Sequence, residues 1–183
     1  MVTPSDAVDE LVGQWRAVRP DLAARLPAMA TIARFGRINH LARALIDAEL
    51  ARHDLAVGEF DVLAALRRSG EPFVLRPIDL ARTLMLSPAG MTGRLDRLEQ
   101  AGWIVRRLDP GDRRSMLVEL TADGLTAIDT AVGGHVDNEE QLLAGLTRAQ
   151  RDTLDDLLRR LLAHLETVSP PSPGGVGPGA RRP

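Results

Sequence analysis

Apolar residues recur at three- and four-residue steps through most of this chain, the period of an amphipathic helix, and change to alternation in only one place. Val8, Leu11, Val12, Trp15 and Val18 share a face and predict a short helix over residues 5–19, preceded by Pro4 and ended by Pro20. Leu22, Leu26, Met29, Ile32, Phe35, Ile38, Leu41 and Leu45 predict a long helix over 21–53, kinked or freshly started near Pro27, where the ring removes a backbone donor. A third helix, 57–68, buries Phe60, Leu63, Ala64 and Leu66 and ends at Ser69, Gly70 and Pro72. From Thr121 onward, Leu125, Ile128, Val132 and Val136 mark another helix, weakened at Gly133 and Gly134, where a bend is expected. Thr147 and Gln150 form a capping box for a last helix with a broad apolar face, Leu154, Leu157, Leu158, Leu161, Leu162 and Leu165.

The stretch from Leu75 to Leu120 reads as helix, tight turn, second helix and β-hairpin. Ile78, Leu80, Ala81 and Leu84 line the first helix, which Arg76 and Pro77 open. Met85 and Leu86 separate it from the second, a spacing that suits a helix-turn-helix. Ser87 can cap the second helix with its hydroxyl, and Pro88 fits the first helical position, where no N–H is needed. Met91, Leu95 and Leu98 form its buried stripe, Thr92, Arg94 and Arg97 fall largely on other faces, and Gly102 stops it. Residues 103–107 and 114–120 then predict two strands, with Met116, Val118 and Leu120 alternating against Ser115, Leu117 and Glu119. The turn sequence DPGDR joins them. A helix-turn-helix followed by a hairpin is a winged helix, in which the second helix enters a DNA major groove and the wing tip reaches the minor groove or phosphates.

Composition narrows the choice. At 183 residues and 44% hydrophobic, the chain can bury one good core. Residues 1–168 are expected to form a single domain, mainly α with a small β-hairpin wing, in which 57–120 is the DNA-binding region and 1–53 with 121–168 the helical dimerisation region. The Pro/Gly-rich residues 169–183 are expected to be a disordered tail. Net charge is only −2, yet residues 76–114 hold eight arginines against five acids, so the reading head is basic on an acidic body. All 23 basic residues are arginine, a composition bias given no functional weight. The absence of Cys removes disulfides, thiolate metal sites and cysteine redox sensing. No signal peptide or run of about 20 apolar residues is present, which predicts a soluble cytoplasmic protein.

The run SPAGMTGRLDRLEQAGWIVRRLDPGDRRSMLVELTADG resembles the MarR family of bacterial transcription regulators. The family's L-E-x-x-G is met by Leu98, Glu99 and Gly102, its D-x-x-D-R-R by Asp109, Asp112, Arg113 and Arg114, and its L-T-x-x-G by Leu120, Thr121 and Gly124. The helix pattern extends the resemblance over roughly residues 28–168. It implies a homodimer with interlocked terminal helices, in keeping with the unclaimed apolar helix surface at both ends of the chain. Two recognition helices about 34 Å apart would then read a pseudo-palindromic operator. Ser87, Ala89, Thr92, Arg94 and Arg97 are the candidate major-groove contacts, arginine being able to pair bidentately with guanine and small side chains to meet thymine methyls. Arg113 is the candidate for the wing tip. The resemblance implies that Asp112 orients Arg113 while Arg114 contacts the DNA backbone or pairs internally. A solvated charge or internal ion pair is the alternative for each arginine, expected for about a third of them.

Within the resembled family, a urate-responsive branch carries Trp, Asp and two Arg at places that Trp15, Asp61, Arg94 and Arg106 occupy here. Two guanidinium groups suit an anionic planar ligand, an Asp can accept its N–H, and an indole can stack on it. Against this, a tryptophan at helical spacing is more often a packing anchor, and Asp61 with Arg106 could be a structural salt bridge. A MarR-type regulator for another phenolic or lipophilic ligand, and a winged helix used only for protein contacts, are the alternative readings. His40, His53, His135 and His164 are scattered and no nucleophile or phosphate-loop motif occurs, so no enzyme and no cofactor is expected. His135 and Glu139, four apart, are expected to face solvent rather than bind a metal.

Overall fold

The structure is a computed structural model and describes residues 5–168 apart from the side chains of Pro88 and Arg113. The tail expected over 169–183 lies outside the described residues. The chain divides into two compact units, Met1–Ile46 and Asp47–Pro183.

In the first unit, α1 (Ala7–Val18) is opened by a capping box. Asp6 accepts from the backbone of Val8 and Asp9, and Asp9 accepts from the backbone of Asp6. Arg34 donates to both carboxylates. The long helix expected over 21–53 is instead a 3-10 turn, Pro20–Leu22, followed by α2, Leu26–Ala51. Pro27 falls in the first turn of α2, where its missing N–H breaks no ladder.

In the second unit, α3 (Val57–Arg68) is the central element, with Phe60 and every residue from Val62 to Leu66 buried. Its burial is wider than one stripe because neighbours pack around it, and Phe60 meets the His135 ring at 4.6 Å between centroids. Helix α4 (Pro77–Thr83) begins at a proline and α5 (Pro88–Gln100) at the Ser87 cap, whose hydroxyl accepts from Gly90 N at 3.2 Å. Leu80 and Ala81 of α4 are buried, whereas Ile78 is 57% exposed. Strands β1 (Val74–Leu75), β2 (Ile104–Asp109) and β3 (Asp112–Leu120) form an antiparallel sheet in the order β1-β3-β2. The hairpin thus reaches two residues further along β2 than the pattern indicated, and β1, too short to show alternation, adds a third strand by pairing Val74 with Glu119 and Leu75 with Val118.

The L-T-x-x-G motif closes the head. Thr121 Oγ1 accepts from Gly124 N at 2.9 Å to cap α6 (Ala122–Leu142) and donates to the carbonyl of Gly102 at 2.8 Å. A Cβ on Gly124 would stand 2.8 Å from the carbonyl carbon of Trp103, so only glycine lets α6 lie this close to the start of β2. Helix α6 continues unbroken through Gly133 and Gly134. The second of these provides space, since a Cβ there would stand 2.6 Å from Glu49 Oε1. The capping box of Thr147 and Gln150 opens α7, Arg148–Val168.

Gly124→Ala forces backbone apart and is expected to cost about 1–3 kcal/mol of unfolding free energy. Gly133→Ala, where a Cβ meets nothing within 4 Å, is expected to stabilise the helix by up to about 1 kcal/mol. Urea denaturation of the two variants checks the contrast.

Candidate nucleic-acid interface

Helix α5 is seated by Met91, Leu95 and Leu98, all buried. At about 100° per residue, the opposite side carries Ala89, Gly93, Asp96 and Gln100, with Thr92 towards one flank and Gly90 and Arg97 towards the other. Ala89, Thr92 and Arg97 of the candidate contacts are exposed, as is Ser87 at the cap. Gly93 and Gln100 were absent from the sequence-based set, although the same helical period places them on the outward face. A Cβ on Gly93 would meet only Arg97 Nη1, at 3.8 Å, so nothing within the chain requires glycine there.

Both flanks of α5 are tied by arginine. On the α3 side, Arg97 Nε donates to Glu59 Oε1 at 2.5 Å, and Arg94 Nη1 donates to the Gly58 carbonyl at 3.3 Å. On the wing side, Arg106 of β2 donates to Glu99 from Nε at 2.9 Å and from its backbone N–H at 3.0 Å, and pairs with Asp96 at 2.8 Å. Hydrogen bonding from Arg106 holds the Glu99 carboxyl below its ordinary range, and Glu99, then Asp96, raises the Arg106 guanidinium.

The acids of D-x-x-D-R-R shape the wing. Asp109 Oδ1 accepts from Gly111 N at 2.8 Å, and its other oxygen accepts from Arg76 at 2.9 Å. Its carboxyl is lowered first by the Gly111 bond and then by Arg76. Asp112 accepts from Arg114 N at 3.1 Å and from the Ser115 hydroxyl at 2.8 Å. Arg114 is exposed on β3, and Arg107 pairs with Glu119 across the hairpin at 2.7 Å. The Arg113 side chain, expected at the wing tip beside Asp112, lies outside the described residues. Among the described residues, Arg76, Arg82, Arg97, Arg106 and Arg107 of the head carry ion pairs, and the acids of Arg97 and Arg107, Glu59 and Glu119, come from outside residues 76–114 and offset part of the local basic excess.

Of the four ligand candidates, Arg94 and Arg106 bond on opposite flanks of α5. Trp15 belongs to the first compact unit and is 41% exposed. Asp61 is half-buried on α3, one turn on from the Gly58 that receives Arg94. Arg106 binds the other flank of α5, because Asp96 and Glu99 lie about 140–200° around the helix from Arg94. Arg106, for which a structural salt bridge with Asp61 was the alternative to ligand binding, pairs with Asp96 and Glu99. Arg106 instead borders a cavity of about 390 Å³ between α4, α5 and the wing, where Ile78, Met91, Leu95 and Met116 supply apolar walls and Thr92 a hydroxyl. His135 pairs with Glu139 at 3.2 Å, and among the described residues no group of three His, Cys, Asp or Glu could hold a metal ion. No helix among them is long and apolar enough to cross a membrane.

The pattern characteristic of the MarR family matches residues 53–115. Over 158 residues, 86% of this chain and 94% of the relative, the sequence is 39% identical to the HTH-type transcriptional regulator PecS of Dickeya dadantii. The chain belongs to the MarR family. A solved structure of a mutant MarR from E. coli complexed with operator DNA is similar at a TM-score of 0.62 and 27% identity, over 86% of this chain and 99% of that one. A structure bearing on regulation of DNA binding of Bordetella bronchiseptica BpsR by 6-hydroxynicotinic acid is similar at a TM-score of 0.63 and 26% identity, over 70% and 90% of the two chains. MarR-family members are transcription regulators, not enzymes.

Because its folded pKa is lowered, Glu99 stabilises the fold above its unfolded value near 4.5 and loses that contribution as pH falls through the lowered value. Glu99→Gln should accordingly melt below the native protein at pH 7, and the gap should narrow as pH drops below about 4.5. Thermal melts from about pH 7 to about pH 3 measure it, and a gap independent of pH would contradict the assignment.

Proposed function

We propose that this MarR-family regulator is a homodimeric repressor that binds a pseudo-palindromic operator and is released by a small anionic or aromatic ligand. The observation that carries the reading is the outward face of α5, small at Ala89, Gly90 and Gly93 and bordered by Thr92 and Arg97, set beside an arginine-bearing wing. Small side chains let a helix approach base edges closely, and the flanking polar groups can read them. A second copy is the partner suggested by the apolar surface left open on α2 at Ile32, Ile38, Leu41 and Leu45 and on α7 at Leu157, Leu158, Leu162 and Leu165, too much for a lone soluble chain to present to water.

The ligand reading rests on the cavity beside Arg106. An anionic ring there would compete with Asp96 and Glu99 for the guanidinium, so binding would loosen the tie between wing and recognition helix. Urate and a hydroxylated aromatic acid both have that chemistry, and 6-hydroxynicotinic acid, the compound tied to regulation of BpsR, serves as a probe.

Fluorescence anisotropy with DNA from upstream of the protein's own gene, against scrambled DNA, tests both parts. Sequence-dependent binding is expected, weakening about a hundredfold or more between about 50 and about 200 mM salt as phosphate contacts release counterions. Urate or 6-hydroxynicotinate should weaken it further, and Ile78→Trp, which fills the cavity, should blunt that response. Operator binding indifferent to both ligands would remove the ligand part. No sequence preference across a random DNA library would favour a protein-contact role instead.

A further inference from the structure

Glu59 is the buried charged residue among those described. A carboxylate out of water is costly unless both oxygens find donors, and both do. Oε2 accepts from Ala56 N at 2.9 Å, capping α3 in place of Ala56, which has no side chain to do so. Oε1 accepts from Arg97 Nε on the recognition helix. That bond uses the inner edge of the guanidinium, and Nη1 lies 3.8 Å from where a Cβ on Gly93 would stand, over the outward face of α5.

One turn earlier, Arg94 reaches the same end of α3. A Cβ on Gly58 would stand 2.6 Å from Arg94 Nε and 2.8 Å from Nη1, so the glycine makes the seat that Arg94 fills. Neither Gly58 nor Glu59 belongs to the helix-turn-helix or the wing, yet each fixes an arginine of α5.

We propose that Glu59 is a positioning residue for DNA reading: its carboxylate orients the Arg97 guanidinium over the outward face of α5, with Arg94 on Gly58 as a second tie. The proposal rests on α5 being the recognition helix. A pre-oriented arginine loses less rotamer freedom on reaching a base edge or phosphate, and its plane is set before contact. Lysine cannot substitute, having no inner N–H to give the carboxylate while its outer donors face DNA. Glutamine at 59 cannot either, since an amide offers one accepting end for two donors.

The full chain with its operator tests this by anisotropy, with scrambled DNA and thermal melts as controls. Glu59→Gln and Arg97→Ala are each expected to weaken operator binding about tenfold, and the double variant also about tenfold rather than a hundredfold, because they remove one unit. Scrambled-DNA affinity of Glu59→Gln should stay within about twofold of native, a selectivity that a general loss of fold would not produce. Gly58→Ala, which only displaces a flexible side chain, should weaken operator binding severalfold. Arg97→Lys, at an exposed position that leaves the fold in place, should lose about tenfold despite keeping its charge. Full operator affinity in Arg97→Lys or Glu59→Gln, or an additive hundredfold loss in the double variant, would overturn the proposal while leaving the DNA reading intact. A native chain with no operator preference would overturn that reading and the proposal with it.

Discussion

The bonds from Arg106 to Glu99 and Asp96 hold α5 to the wing, and the geometry of the winged helix depends on them. The apolar stripe of Met91, Leu95 and Leu98 keeps α5 against the core but is non-directional, so it cannot by itself fix where the wing stands relative to the helix. Charge-assisted bonds can, because Glu99 receives both the side chain and the backbone N–H of Arg106. Arg76 on Asp109 repeats the device at the far end of the wing, joining the entrance of α4 to the hairpin turn. Isolated surface pairs contribute little, but here each spans two elements that backbone bonding does not join.

The order of elements was legible because each carries its own punctuation. Ser87 caps α5, Gly102 with φ +76° ends it, and Thr121 caps α6. The motif residues proved to be structural signals first: Glu99 receives the wing, Asp109 and Asp112 shape its turn, and Gly124 admits α6 to the backbone of Trp103. Harder to see were contacts between distant segments. Strand β1 has two residues and no period, the fresh start of α2 at Leu26 was one of two outcomes Pro27 allowed, and Gly134 looked like a weak point in α6 when it is a space for Glu49.

Arginine partners were the least legible feature of the site. Local composition shows a basic head, but the acids that neutralise Arg97 and Arg107, Glu59 and Glu119, lie outside residues 76–114. Arg94 and Arg106, twelve apart in sequence, bond on opposite flanks of one helix in space. The outward face of α5 accordingly carries a few polar groups on a helix of small residues, with the Glu59 carboxylate behind Arg97.

Hydroxyl-radical footprinting of the purified protein on its operator tests the central claim most directly, because it reports the spacing at which the reading heads meet DNA. Two symmetric protected centres about 10–10.5 base pairs apart, or a multiple of that, are predicted for a two-fold dimer reading successive major grooves. A single protected centre, or uniform protection without position, would contradict it.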